Sequence, residues 1–227
     1  RDFEGEPLYD WARAFLMQIE GGLFNEDNTP VVSFQTNPDL KGISFFSELL
    51  QAILAKRVLK LRYTPYGKET QTVTIYPYYL KQFKQRWYLI AKNAHHLDSI
   101  SAYALDRMIS FHHSLMDDYV PIDIDVHEYF KDVYGIARLD GEPETIRFHV
   151  DRHELPYLQT RPIHHSQKIV GRDKTGVFMT IHVIPNTELL MELMSYGDGI
   201  TVKTTGKLRR EIMGKLRCAR KKYGSST

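Results

Sequence analysis

The sequence predicts an α+β chain: a small five-stranded β-barrel or strongly twisted sheet, then a ferredoxin-like α/β unit, with helices ahead of both. Three observations lead there. The hydrophobic period changes from 3.6 to 2 at Val58, five short strand patterns separated by tight turns follow within about 55 residues, and the last 80 or so residues read β-α-β-β-α-β-α.

In chain order, Leu8, Trp11, Ala12, Phe15, Leu16 and Ile19 recur at helical spacing, and Gly21-Gly22 ends that helix. Val31–Phe34 reads as a short strand. Ser44 is placed to cap a second helix whose apolar face pairs Phe45/Phe46, Leu49/Leu50 and Ile53/Leu54. Val58–Tyr63 is then a strand, Thr64–Lys68 a turn, and Thr72–Leu80 the partner strand. Pro77 lacks a ladder donor and belongs at an edge or a bulge. Lys81–Gln85 turns into a strand over Arg86–Ala91, Asn93–Ser99 turns again, and Ile100–Phe111 holds one bent strand or two short ones. An acidic connector follows, helical near Val126–Val133.

Beyond it, Thr145–Val150 reads as a strand and Arg152–Thr160 as a short helix. Gln167–Gly171 and Val177–Ile184 form a hairpin around Asp173–Gly176. Asn186 or Thr187 caps a helix carrying Leu189, Leu190, Leu193 and Met194, with Gly197 at its end. Ile200–Thr204 is a strand and Leu208–Tyr223 a terminal helix. The resulting division is a linker over 1–43, a barrel domain over 44–115, a connector over 116–144 and an extension domain over 145–227.

The chain has 227 residues, 42% hydrophobic and 26% charged, enough for one large domain or two small ones and incompatible with wholesale disorder. Cys218 is the single cysteine, which excludes an intramolecular disulfide and a cysteine-rich zinc module and suits a reducing compartment. No apolar run approaches the roughly 18 residues of a membrane span, and no signal pattern opens the chain. A soluble, cytoplasmic protein with no membrane partner is expected. Because the sequence opens on Arg1, an upstream part is expected as well.

The net charge of +2 conceals strong segregation. Residues 1–50 hold nine acids and three bases, 56–92 nine bases and one acid, 93–145 eleven acids and three bases, and 204–227 eight bases and one acid. A concentrated basic block attracts phosphate. Interleaved with its lysines and arginines are Tyr63, Tyr66, Tyr76, Tyr78, Tyr79, Phe83, Trp87 and Tyr88. Single-stranded nucleic acid is held by this mixture, cations following the backbone and ring faces stacking bases at about 1–3 kcal/mol each. Strand alternation sorts the candidates: Trp87, Leu89 and Ala91 face one way, Arg86, Tyr88 and Ile90 the other, with Trp87 and Leu89 as core. Tyr76 and Tyr78 share a face on the preceding strand. The competing reading is structural, since aromatic residues fit half-buried sheets and lysines protect strand edges.

Arg86-Trp87-Tyr88-Leu89-Ile90-Ala91, preceded by Ile75-Tyr76-Pro77 and by Arg62-Tyr63 with Gly67, and followed by Tyr103-Ala104-Leu105-Asp106-Arg107-Met108, resembles the WYL domain over residues 44–112. Residues 145–223, with His164–Gln167 and Glu188…Tyr196-Gly197, are similar to the extension that commonly follows that domain in bacteria. The resemblance implies a barrel of SH3/Sm-like fold in a bacterial transcriptional regulator, with a winged helix-turn-helix reading DNA upstream. It further implies homodimers and an effector of nucleic-acid or nucleotide type. The chain departs from the family where arginines are common, near Thr74 and at Ala104. Either the ligand differs or Lys60, Lys81 and Lys84 compensate. Asp106 and Arg107 also have a structural reading, as a pair fixing barrel closure.

Other chemistry finds little support. His95-His96, His112-His113 and His164-His165 are adjacent pairs, which on a strand face opposite ways, and His149/His153 lacks the H-E-x-x-H pattern, so no metal site is expected. No G-x-S-x-G, Walker or dinucleotide glycine pattern occurs, so neither an enzyme nor a cofactor is expected. The terminal helix carries an apolar stripe (Leu208, Ile212, Leu216, Ala219, Tyr223) in a basic surround, which complements its dipole or offers a second docking face.

The sequence therefore points to an effector-sensing module whose ligand contacts are Lys60, Tyr63, Tyr76, Tyr78, Lys81, Arg86, Tyr88 and Arg107, Lys60, Lys81 and the arginines neutralising phosphate and the tyrosines stacking or hydrogen-bonding. The alternative is a dimerisation or protein-interaction scaffold without a small ligand. A hydrolase would need carboxylates or histidines converging on the basic face.

Overall fold

The structure is a computed structural model and describes residues 42–114, 118–122 and 125–224. The helix and strand expected within residues 1–41 lie outside the described residues. The architecture is α+β, with two antiparallel sheets and several helices.

A 3-10 turn, Ile43–Phe45, leads into helix α1, Phe46–Leu54. Ser44 sits inside that turn and caps nothing; Phe45 occupies the N-cap without a side-chain bond. Leu49 and Ala52 are the buried positions of α1, while Leu50 and Leu54 are exposed, so its inward stripe is narrower than the paired apolar residues imply.

Strands β1 (Leu59–Tyr63), β2 (Gln71–Phe83), β3 (Arg86–Asn93), β4 (His96–Ala104) and β5 (Met108–His113) form one sheet in the order β4-β3-β2-β1-β5. β5 returns to pair with β1, and a 3-10 turn at Leu105–Arg107 divides β4 from β5. No ladder joins β4 to β5 among the described residues, so closure into a barrel is not seen. Two turns are shorter than expected. Ala94-His95 alone connects β3 to β4. Lys84-Gln85 alone connects β2 to β3, both residues at positive φ (46° and 65°), as a two-residue hairpin turn requires, though neither is the Gly or Asn that signals one.

Pro77 lies beyond the stretch of β2 that pairs with β1 and next to a bulge: it pairs with Ala91, Tyr79 with Ile90, and Tyr78 is the extra residue. The bulge inverts the alternation of β2. Val73 and Ile75 face the α1 core with Leu89 and Ala91, and past the bulge Leu80 joins them. Tyr79, Lys81 and Phe83 are thereby turned to the face of Tyr88 and Ile90. That face is covered too. Ile90 is 1% exposed against Phe130, Val133, Ile136 and Ile184, so β3 is buried on both sides at its centre.

The connector carries helix α2, Val126–Phe130, capped by the Asp125 side chain. The second sheet has the order β7-β8-β6-β9, with β6 Glu144–Asp151, β7 Lys168–Arg172, β8 Gly176–Val183 and β9 Ile200–Val202, every pairing antiparallel. Helix α3 (Leu155–Thr160) lies between β6 and β7, α4 (Thr187–Ser195) between β8 and β9, and α5 (Lys207–Gly224) closes the chain. Asn186 caps α4 through the Leu189 N–H. Phe148, Val150, Met179, Ile181, Leu189 and Leu193 form the core of this unit. Of α5, Leu208 is buried and Ile212 packs on that core, while Leu216 and Tyr223 of its stripe are exposed.

Candidate ligand cleft

The Tyr88 face of the first sheet, the connector and the first turn of α4 enclose a cleft of about 350 Å³. Tyr88 and Ile90 of β3, Ile100, Ser101 and Ala102 of β4, and Arg107 form one wall; Tyr129, Phe130 and Ile136–Arg138 form the other, and Glu188 reaches in from α4. Ala102 and Ala104 oppose Ile90 and Tyr88 in the β3–β4 ladder, and their small size leaves room beside Tyr88.

Arg107 is held by rings. Its guanidinium lies 4.4 Å from the Tyr66 ring centroid and 5.4 Å from that of Tyr63, and its Nε is buried without a hydrogen-bond partner among the described residues. Tyr63 in turn accepts the Ala104 N–H at 3.2 Å and packs edge-on against Tyr103. Burial pushes the Tyr63 phenol up, with Arg107 pulling it partly back.

Arg138 repeats the arrangement from the connector. It stands 5.0 Å from the Tyr129 ring centroid and donates to the Tyr129 carbonyl at 2.6 Å. Neither Arg107 nor Arg138 makes an ion pair among the described residues. Burial also raises the Tyr88 phenol, against the pull of Arg86 and Arg107, so this ring is a neutral hydroxyl donor at physiological pH.

Glu188 is the cleft's one carboxylate, and it is engaged: its Oε2 accepts the N–H groups of Ile136 (2.8 Å) and Ala137 (2.9 Å). Gly135, at φ 88°, precedes them, and a Cβ there would overlap that carboxylate. Two further contacts tie α4 to the same region. Asn186 Nδ2 donates to the carbonyls of Tyr134 and Ala137, and Lys84 at the β2–β3 turn pairs with Glu192 at 2.8 Å.

The expected contacts are thus divided. Tyr88 and Arg107 line the cleft, and Tyr63 supports Arg107 from behind. Lys81, paired with Tyr88 in the ladder, lies 4.4 Å over the Phe130 ring; burial lowers its pKa, with Glu188 acting the other way. Arg86 stands outside the lining, donating to Tyr66 Oη at 3.1 Å and pairing with Asp106 at 3.5 Å. Asp106 therefore pairs with Arg86, and no Asp106–Arg107 pair forms among the described residues.

Tyr76 and Tyr78 are elsewhere, buried with Val58 under Tyr119, Val120 and Ile122, with Tyr78 donating to the Val120 carbonyl. Lys60, opposite Thr74 and His112 in the two ladders of β1, is not among the residues lining the cleft. The residues that sequence reasoning missed are Tyr129, Arg138 and Glu188. They lie in the acidic connector and in the extension, outside the basic, aromatic-rich block from which the contacts were drawn.

His149 is buried between Asp151 (3.3 Å) and Asp173 (3.2 Å), and His164 bonds Ser166 at 2.7 Å. No group of His, Cys, Asp and Glu suited to a metal is found among the described residues.

Residues 44–112 match the WYL domain family and residues 142–219 the WCX domain family. Proteasome accessory factor B/C (PafBC) of Arthrobacter aurescens is similar at 17% identity over 93% of this chain and 32% of that one, with a TM-score of 0.37. A CRISPR Cas-related protein is similar in fold alone, at 9% identity over 83% of this chain and 54% of that one, with a TM-score of 0.51. The chain thus spans about a third and about half of these two. No curated protein matches it.

Proposed function

The chain belongs to the WYL-domain family and carries a WCX domain behind that domain, and from this premise we propose that it is the effector-sensing part of a bacterial transcriptional regulator. In this reading the cleft binds a nucleotide-type anion, either free or as the terminal nucleotide of a single strand. Two guanidiniums that converge on one cleft without a carboxylate partner carry the reading: Arg107 and Arg138, each stacked on tyrosine, with Tyr88, Tyr129 and Phe130 between them. The two cations share the hollow with a single carboxylate, Glu188, so the lining carries a net positive charge that favours an anion, and the rings favour a planar group attached to it. A cleft of about 350 Å³ is at the small end of ligand sites and suits a single nucleotide. Arg138 supplies the second cation that the departures at Thr74 and Ala104 remove from the first sheet, while Lys84 is engaged with Glu192.

The same reading takes the first sheet as SH3/Sm-like, on the return of β5 to β1 after a 3-10 turn, and the second unit as ferredoxin-like, on its β9-β6-β8-β7 order. Binding, and not turnover, is the activity; DNA is read by an upstream helix-turn-helix in a cytoplasmic homodimer. Ligand binding would shift the geometry of that dimer.

Fluorescence polarisation with AMP analogues and short oligonucleotides tests the proposal. Arg107→Ala should weaken binding about ten- to a hundredfold, as expected for a hydrogen-bonded charge, and affinity should fall steeply with salt. Unchanged affinity in that variant, or a flat salt response, refutes it. The exposed end of the α5 stripe (Leu216, Tyr223) favours the second reading, a scaffold; loss of dimers on deleting 205–227, with melting indifferent to every nucleotide, would establish that instead.

A further inference from the structure

Glu188 occupies a place that the chemistry of the cleft assigns to an anion. The Ile136 and Ala137 N–H groups follow a glycine in the left-handed region and point at one oxygen, the geometry in which successive amides form an anion-binding concavity. Arg107 and Arg138 line the same cleft, so a carboxylate, two amides and two guanidiniums share one small volume. The lack of a side chain at Gly135 is what lets the carboxylate reach the amides, since a Cβ there would collide with it.

We propose that the Glu188 carboxylate is a tethered stand-in for the ligand's phosphate, and that an entering phosphate monoester displaces it from the Ile136 and Ala137 amides. This inference rests on the reading of the cleft as a nucleotide site and adds its anion subsite and its coupling. A phosphate dianion brings more charge and more acceptor oxygens than one carboxylate, so the two arginines favour the exchange. Displacement has a structural consequence because Glu188 belongs to the first turn of α4. Once it leaves, that turn keeps the Asn186 amide bonds to the connector, and Glu192, one helical turn further on, keeps Lys84 and the connector's Tyr134. The ligand is thereby read out by the second domain through a carboxylate it expels.

The test titrates AMP and inorganic phosphate into the full chain and into E188Q and E188A, following the Ile136 and Ala137 amide resonances. Glu188→Gln removes the competing charge while keeping an acceptor for the amides, so it guards against misfolding. AMP affinity should rise at least fivefold in E188Q and more in E188A, with both amides shifting when AMP binds. AMP binding that depends on Arg107 but is equal or weaker in E188Q and E188A overturns the inference and leaves the nucleotide reading intact. Failure of all three proteins to bind overturns both. Binding by the variants alone supports the inference in its strongest form, a closed site.

Discussion

Arg107 lies against two tyrosine rings and in no ion pair among the described residues, and that choice of partner separates it from a strut such as Arg86. A guanidinium paired with carboxylate has its donors and its field satisfied; one stacked on ring faces gains about 0.5–2 kcal/mol and keeps donors free. Arg86 has taken the strut's role beside Asp106. Tyr78 shows the same division among aromatic residues. Burial, with Tyr119 and Tyr76 beside it, pushes its phenol up to about 12, because the ring is sealed under the connector. The folded state then holds a proton on Tyr78 that the unfolded chain releases near pH 10. Its contribution to stability is complete below pH 10 and is lost as pH rises toward 12. Denaturation melts across that range should show the decline, and Tyr78→Phe should reduce it.

At the scale of elements, the β2 bulge does most to shape the cleft wall. One extra residue after Pro77 moves Lys81 from the core side of the sheet to the side of Tyr88, and moves Leu80 into the core. Simple alternation from Thr72 could not anticipate this, since a single insertion reverses every later side chain. The turn that ends β2 is costly as built: Gln85 holds φ 65° with a Cβ. Gln85→Gly should raise stability by about 1 kcal/mol, the penalty of a left-handed non-glycine residue, read as a higher denaturant midpoint at constant slope. Gly176 is the opposite case. A Cβ there would meet the Val150 carbonyl across the β6–β8 ladder, so Gly176→Ala should destabilise by about 3 kcal/mol in the same assay.

The described chain as a whole is held together around α4. Asn186 caps that helix and hydrogen-bonds two connector carbonyls from a site 5% exposed, and Lys84 brings the β2–β3 turn to Glu192. The ion pair is half exposed and adds little, about 0.2–1 kcal/mol. The amide adds more, because its loss orphans buried groups. Asn186→Ala should cost about 3 kcal/mol and resolve a single calorimetric transition into two, one for each sheet.

Much of this was legible beforehand. Period, turns and the Arg86–Ala91 and Tyr103–Met108 motifs placed nearly every strand, whereas the basic block over 56–92 contributes no cation to the cleft lining. The cleft was half legible. Tyr88 and Arg107 stand in the WYL motifs, whereas Arg138 stands in no motif and Glu188 entered only as a mark of the extension, thirty and eighty positions further on. Sequence alone determined most of the elements and the family, because these follow from local pattern and motif. Only the tertiary structure decided which tyrosines are sealed and which face the hollow, and that a distant glutamate already sits on its amides. Those outcomes depend on one bulge and on packing between segments far apart in the chain, and nearest-neighbour pattern carries no record of either.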